Sequence, residues 1–355
     1  GMASYPTFNL NDPRKLTGMY TDEEIKDMSD EEYRNNLYSL WTNYCVSESY
    51  EPGSTFKPVT VASALEEGVV KDGDTYVCKG FETVADYKLK CHVFSTIGSH
   101  GSLTVEQALM NSCNPYMIHL ALEMGNSRFA YYQSLFGFGK ITGIDLPGET
   151  TGIVYGDRMT TIDAACNSFG QTINVNMMQM MAAYCSIING GMLYQPHIVK
   201  RIESANGEVV KEYKANLVRQ TITASTSKLL RRYLKNTVEE GTAKKAGVTG
   251  YSVAGKTGTA QKGDRKDNKW IISFIGHAPA ENPKFAIYVV IDEPYGTTGT
   301  SGSSADVLTL THNILEKLLP YMNVYKDASD EYEDTSSSPD ELTVDGIPAG
   351  TASSN

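Results

Sequence analysis

The stretch Tyr50-Glu51-Pro52-Gly53-Ser54-Thr55-Phe56-Lys57-Pro58-Val59-Thr60-Val61-Ala62-Ser63-Ala64-Leu65-Glu66-Glu67-Gly68 carries more of the reading than any other. A turn at Pro52-Gly53 leads into a helix whose apolar residues fall at Val61, Ala62, Ala64 and Leu65, and which Gly68 stops. Ser54 and Lys57 stand three apart and share one face of its first turn. A serine at a helix N-terminus sits in positive potential, which favours the alkoxide that a nucleophile needs. A neighbouring lysine can take its proton if burial keeps the amine neutral part of the time. Alone, Ser-x-x-Lys is a weak signal. Ser225-Thr226-Ser227-Lys228 repeats it at the start of a charged helix expected from Leu229 to Lys235, where it reads as a solvated cap.

Two further triplets raise the odds. Ser112-Cys113-Asn114 lies within 104–124, a run expected to be one helix capped by Thr104, with Gln107 at the capping-box position and Gly125 beyond its end. The same Ser-x-Asn spacing at Ser204-Ala205-Asn206, before Gly207, reads as a turn. Lys256-Thr257-Gly258-Thr259 is the single Lys-Thr-Gly of the chain and falls on an expected strand, 251–260, where a small residue lets a substrate approach the backbone. Strands over 270–278 and 285–292 follow, then a closing helix over 305–319 ended by Pro320. Thr21-Asp22-Glu23-Glu24 and Ser29-Asp30-Glu31-Glu32 predict two short outer helices, residues 72–101 read as hairpins or loops, and 174–189 as a buried helix. Helices in the middle with a late antiparallel sheet define an α+β class, an antiparallel sheet flanked by helices. The expected division is one domain over 1–325 and an acidic, Ser-rich, disordered tail over 326–355.

Charge narrows the function. The 355 residues carry 31 Lys+Arg against 42 Asp+Glu, a net charge of −11, and residues 326–355 alone hold eight acids and one Lys. The body is close to neutral, and an acidic balance argues against a nucleic-acid surface. No run of eighteen apolar residues occurs, nor a basic segment followed by an apolar one at the N-terminus. Six Cys are too few for a disulfide scaffold.

Ser-x-x-Lys, Ser-x-Asn and Lys-Thr-Gly in that order form the signature of penicillin-binding proteins and serine β-lactamases. Over most of 1–320 the chain resembles the transpeptidase domain of class B penicillin-binding proteins, the division, elongation and sporulation type. Gly143-Ile144-Asp145-Leu146-Pro147-Gly148-Glu149, Ser168-Phe169-Gly170-Gln171, Gly241-Thr242-Ala243 and Ala254-Gly255-Lys256-Thr257-Gly258-Thr259-Ala260-Gln261 support the likeness. The resemblance implies a transpeptidase fold whose first strands, membrane anchor and pedestal domain precede the Met2-Ala3-Ser4 segment. It implies Ser54 as nucleophile on a D-Ala-D-Ala stem peptide, Lys57 as its base, and Ser112 as a relay to the leaving D-Ala. Asn114, Lys256, Thr257, Gly258 and Thr259 would bind substrate, with the backbone N–H groups of Ser54 and Thr259 as oxyanion hole. β-Lactams would acylate Ser54. The expected partners are stem peptides as donor and amine acceptor and a membrane glycosyltransferase, at the extracytoplasmic face of the cell membrane; no nucleic acid is expected. Gly302-Ser303-Ser304-Ala305 departs from the family's usual Gly-Gly run, and Asn176-Met177 from its Thr-Pro.

The chemistry requires no cofactor. Cys45, Cys166 and Cys185 lie in apolar helical contexts and read as buried small hydrophobes. Cys78 and Cys91 flank a hairpin near Asp86, His92 and His100. Cys78, Cys91, His100 and Asp86, with His92 in reserve, would satisfy a four-coordinate structural zinc; a Cys78–Cys91 disulfide and two free thiols are the competing readings. Cys113 reads as packing. A D,D-carboxypeptidase, or a sensor acylated without turnover, would keep the same three motifs. A class A β-lactamase would need a Glu-x-x-x-Asn loop between the second and third motifs, and hydrolysis by that route is not expected.

Overall fold

The computed structural model describes residues 1–16, 18–263, 269–294 and 303–328. Thr21 and Ser29 cap the first helices, α1 (Asp22–Asp27) and α2 (Asp30–Trp41), by accepting the N–H groups of Glu24 and Glu32. After α3 (Tyr44–Ser47), a 3-10 turn over Gly53–Phe56 runs directly into α4 (Lys57–Glu67), which ends at Gly68 with a left-handed φ of +76°. Residues Lys57 to Ala64 are all buried, so α4 is the central helix, packed against α6 (Asn114–Met124), α9 (Met177–Ile188) and α10 (Ala224–Glu239). Between α4 and the second motif lie two strand pairs, β1 (Thr75–Cys78) with β4 (Gly101–Thr104), and β2 (Phe81–Val84) with β3 (Tyr87–Lys90).

The expected single helix over 104–124 is two. α5 (Val105–Met110) starts at Thr104 with its reciprocal Gln107 bond as expected, but the chain breaks at Ser112, whose φ is +53°. Pro115 explains the break: it has no N–H to bond back into the preceding turn, so α6 must start afresh at Asn114. α6 then ends at Gly125, and α7 (Asn126–Leu135) and α8 (Thr161–Asn167) follow. Asn176 caps α9, with Gln179 completing the box, so the departure from Thr-Pro leaves the helix start intact. β5 (Met192–Tyr194) pairs with β8 (Leu217–Gln220), and β6 (Arg201–Glu203) with β7 (Val209–Glu212) forms an exposed hairpin whose turn contains Ser204 to Gly207. α10 starts earlier than expected, because Thr223 rather than Ser225 is its cap. Ser225 and Lys228 are exposed on its first turns.

β9 (Ala254–Lys262), β10 (Lys269–Ala278) and β11 (Phe285–Asp292) form an antiparallel sheet in the order β11-β10-β9. Alternation on β10 explains why both its faces are apolar. Ile271 and Ile275 join the core built with α4, α9 and α10, whereas Ile272 and Phe274 pack with Val307, Leu308, Leu315 and Leu319 of α11 (Ala305–Tyr321). α11 continues one residue past Pro320. The packed chain reaches Ala328, beyond the expected boundary, because the Asp327 carboxylate accepts the Ser252 N–H at 2.7 Å and the Ser252 hydroxyl. Residues 329–355 of the expected tail, and Gly302, lie outside the described residues.

Candidate active site

Ser54 sits in the 3-10 turn ahead of α4, on a backbone clamped from two sides. Gly53 has φ +56°, and a Cβ there would lie 2.5 Å from the Thr259 carbonyl oxygen, so only glycine lets β9 press this closely on the turn. From the other side the Gly53 N–H donates to Gly170 O at 2.9 Å, and a Cβ on Gly170, itself at φ +81°, would fall 2.0 Å from Gly53 O. Thr55 donates its hydroxyl to Pro52 O at 2.7 Å and lies 3.4 Å from the buried Tyr288 hydroxyl of β11.

The helix break at Ser112 turns the second motif toward Lys57. Lys57 Nζ lies 2.6 Å from Ser112 O, 2.9 Å from Ser112 Oγ and 2.6 Å from Asn114 Oδ1. Ser112 Oγ in turn is 3.0 Å from Ser54 Oγ. The four residues therefore form one hydrogen-bonded line, with Ser112 between the Ser54 hydroxyl and the Lys57 amine. Burial pushes the Lys57 pKa down to about 8, against the opposing pull of the Cys91 and Cys113 thiols. Asn114 is anchored by donating Nδ2 to Lys90 O at 3.3 Å.

The third motif brings a second buried lysine. Lys256 is fully buried on β9, and burial, then the charge of Lys57, holds its pKa well below the ordinary value. Its Nζ lies 3.2 Å from Thr257 O, 3.3 Å from Thr257 Oγ1 and 3.5 Å from Thr242 Oγ1. Thr242 also donates its N–H to Met110 O at 3.2 Å, tying α5 to β9. A Cβ on Gly258 would meet Ser273 Oγ at 2.5 Å and Thr55 Cγ2 at 2.8 Å, so the glycine is where strand and nucleophile turn touch. Nothing in the local sequence of Gly241-Thr242-Ala243 gives Thr242 a role; its place between two motifs is a tertiary fact.

The cysteine cluster differs from expectation in one ligand. The side-chain ligand atoms of Cys78, Cys91, His100 and Cys113 all lie within 4.8 Å of one another and could hold a metal ion. Asp86 is not among them: it stands exposed in the turn between β2 and β3. Cys113, fully buried between Ser112 and Asn114, takes its place. His92 Nδ1 is 3.8 Å from Cys91 Sγ at the edge of the group. All six cysteines are free thiols, so the disulfide is not formed here. A hydrogen bond from Cys113, assisted by His100 and His92, holds the Cys91 thiol far below its usual range. Of the other three, Cys45 is buried and Cys166 and Cys185 are half-buried.

Glu212-Tyr213-Lys214-Ala215-Asn216 does have the Glu-x-x-x-Asn spacing, but Glu212 pairs with Arg201 on the exposed hairpin and Asn216 bonds Gln195.

The Ser-x-x-Lys turn, the Ser-x-Asn break and the Lys-Thr-Gly edge strand meet at one point, the three-motif arrangement of penicillin-binding proteins and serine β-lactamases. The model of the penicillin-binding protein transpeptidase domain matches residues 2–316, and the chain belongs to that family. Stage V sporulation protein D of Bacillus subtilis is 38% identical over 330 residues, spanning 91% of this chain and 47% of that protein. Peptidoglycan D,D-transpeptidase FtsI of Escherichia coli is 32% identical over 292 residues, 81% of this chain and 46% of that one. The crystal structure of penicillin-binding protein 3 from Mycobacterium tuberculosis complexed with aztreonam superposes with a TM-score of 0.73 at 29% identity, covering 82% of this chain and 66% of that chain. The chain thus spans about half the length of the curated relatives it matches.

Proposed function

We propose that this domain is a serine D,D-transpeptidase that crosslinks peptidoglycan stem peptides through an acyl-enzyme on Ser54. The observation that carries it is the line Ser54 Oγ, Ser112 Oγ, Lys57 Nζ, with separations of 3.0 and 2.9 Å, ending on an amine whose pKa burial lowers to about 8. With the amine neutral, the two hydroxyls rotate so that the Ser54 proton passes through Ser112 to Lys57 while Oγ attacks the D-Ala carbonyl. The reverse path delivers that proton to the leaving D-Ala nitrogen. The N–H groups of Ser54 and Thr259 would receive the oxyanion, donors of a kind worth roughly 3–4 kcal/mol each. Asn114 would bond the substrate backbone, Gly258 would let the Ser54 turn lie against β9 rather than touch substrate itself, and Lys256 with Thr257 and Thr259 would receive the terminal carboxylate. A β-lactam presents the same carbonyl and carboxylate and would leave Ser54 acylated; aztreonam and ampicillin are each bound in structures similar to this one. Such substrates lie at the extracytoplasmic membrane face, where a membrane glycosyltransferase would be the partner. Among the described residues, no helix is long and apolar enough to cross a membrane.

Intact-mass measurement with a fluorescent penicillin tests this reading. One stable adduct is expected on the wild type and none on Ser54→Ala. A folded wild type without an adduct would refute it.

The cysteine cluster would hold a structural zinc. Three thiols and an imidazole are a standard tetrahedral set, and bonds of about 2.0–2.3 Å place such ligand atoms about 3.3–3.8 Å apart. His100 Nδ1 already lies 3.6 Å from Cys91 Sγ and 3.8 Å from Cys78 Sγ. Because Cys113 stands between Ser112 and Asn114, the ion would brace the second motif. One zinc per chain by elemental analysis, lost in Cys91→Ser, is expected; equal zinc content in both proteins would contradict it.

A further inference from the structure

Glu51, three residues before Ser54, has no part in the acylation steps above. Its segment is stitched to the chain that follows α8: Tyr50 and Val175 exchange backbone hydrogen bonds of 3.1 and 3.0 Å, and the Thr172 N–H donates to Glu51 Oε1 at 2.9 Å. Thr172 presents that N–H from the left-handed region, at φ +60°, where a β-branched residue is rare. Its hydroxyl accepts Asn167 Nδ2 at 2.9 Å, and the fully buried Asn167 is held by Gln133 Nε2 at 3.1 Å. Strained backbone persists only where its surroundings over-determine it, and functional sites are where it collects. Here a buried amide pair and a strained threonine fix one carboxylate oxygen on the segment that leads into the Ser54 turn. Among the described residues, the Thr172 N–H is the only hydrogen-bond donor to that carboxylate, and no cation pairs with it. Burial raises its pKa, an effect the Thr172 bond opposes.

The two lysines, the threonines and the oxyanion donors suit an anionic donor peptide. The second substrate of a transpeptidase is an amine, an ammonium ion near neutral pH, which must be bound and must lose a proton before it attacks. We propose that Glu51 is the acceptor-binding residue: its carboxylate receives the incoming ammonium and takes one proton from it. This rests on the Ser54 acyl-enzyme. The freed amine forms a C–N bond to the acyl carbon, the C–Oγ bond of Ser54 breaks, and a second proton passes through Lys57 and Ser112 to Oγ. Amide, serine hydroxyl and a protonated Glu51 remain, and Glu51 returns its proton to solvent.

The test uses the whole chain with an N-acyl-D-alanyl thioester as donor and a diaminoacyl stem peptide as acceptor amine. The ratio of aminolysis to hydrolysis is read for wild type, Glu51→Gln and Glu51→Asp. Glu51→Gln keeps the oxygen that Thr172 bonds and is expected to lower the ratio at least tenfold and to abolish saturation by acceptor. Its acylation by fluorescent penicillin should fall less than threefold, and Glu51→Asp should recover part of the ratio. An unchanged ratio in Glu51→Gln overturns the proposal, as does a fall in penicillin acylation equal to the fall in the ratio, since that marks a purely structural role. A wild type that forms no adduct at all refutes the Ser54 reading itself, an outcome distinct from both.

Discussion

Gly170→Ala tests how tightly the nucleophile turn is held. The added Cβ would lie 2.0 Å from Gly53 O and 2.7 Å from both Gly53 C and Gly53 N, atoms of the residue that precedes Ser54. Relief requires about 1.4 Å of movement to reach an ordinary contact of about 3.4 Å, and the atoms it meets are backbone, with no flexible side chain to yield. The left-handed φ of +81° adds its own cost, about 1–2 kcal/mol for an L-residue, and overpacking adds about 1–3 kcal/mol. Together these predict a loss of roughly 2–5 kcal/mol in stability. A misplacement near 1 Å at a reacting group costs on the order of a hundredfold in rate. The assay is the second-order rate constant for acylation by fluorescent penicillin, read beside the denaturation midpoint. Acylation within threefold of wild type, in folded Gly170→Ala, would refute the claim that this glycine contact positions Ser54.

Three further outcomes follow from burial and charge. If neutral Lys57 is the proton acceptor, the acylation rate should rise about tenfold per pH unit below about 8 and level off above it, whereas an ordinary lysine at 10.5 would keep it rising; a plateau beginning near pH 10 would count against that role. His277, buried between Tyr184 (2.8 Å) and Ala280 O (3.1 Å), has its pKa pushed down to about 3 by burial. The unfolded chain therefore binds the proton more readily, so this contribution is intact above about pH 6.5 and is lost at about 1.4 kcal/mol per unit as pH falls toward 3; comparing wild type with His277→Gln by denaturant titration at pH 7 and pH 5 should expose a shallower acid dependence in the variant, and identical slopes would exclude it. Phe274→Ala removes a ring buried at 0% exposure between the sheet and α11, and should cost about 3–5 kcal/mol in chemical denaturation, with less than 1.5 kcal/mol meaning the two layers are not coupled there.

Local chemistry made much of the fold legible. Thr104 with Gln107, Thr21 with Glu24, and Gly68 and Gly125 as stops act within a few residues, and each does in the structure what its spacing implies. β9, β10 and β11 were readable for the same reason, being long runs bounded by turns. The break at Ser112 was harder: periodicity favours one helix through 104–124, and only Pro115 speaks against it. That break matters most for the site, because it turns Ser112 and Asn114 onto Lys57. Cys113 is buried as its apolar reading implies, but its place beside Cys78, Cys91 and His100 was hidden, since those neighbours reach it only after the strand pairs fold back on α6. Motif order singled out Ser54, Lys57 and Lys256 as candidates, but the placement of Thr242 and Glu51 depends on contacts far apart in sequence.

The most direct measurement of the central claim is a balance sheet on synthetic stem peptides. A D-Ala-D-Ala pentapeptide donor and an amine-bearing acceptor are incubated with the protein, and free D-Ala and crosslinked dimer are quantified by mass spectrometry. A transpeptidase working through Ser54 should release D-Ala in step with dimer, and Ser54→Ala should yield neither. D-Ala without dimer would make the domain a carboxypeptidase. A stable penicillin adduct with no D-Ala from any donor would make it a sensor, and either result would contradict crosslinking as its function.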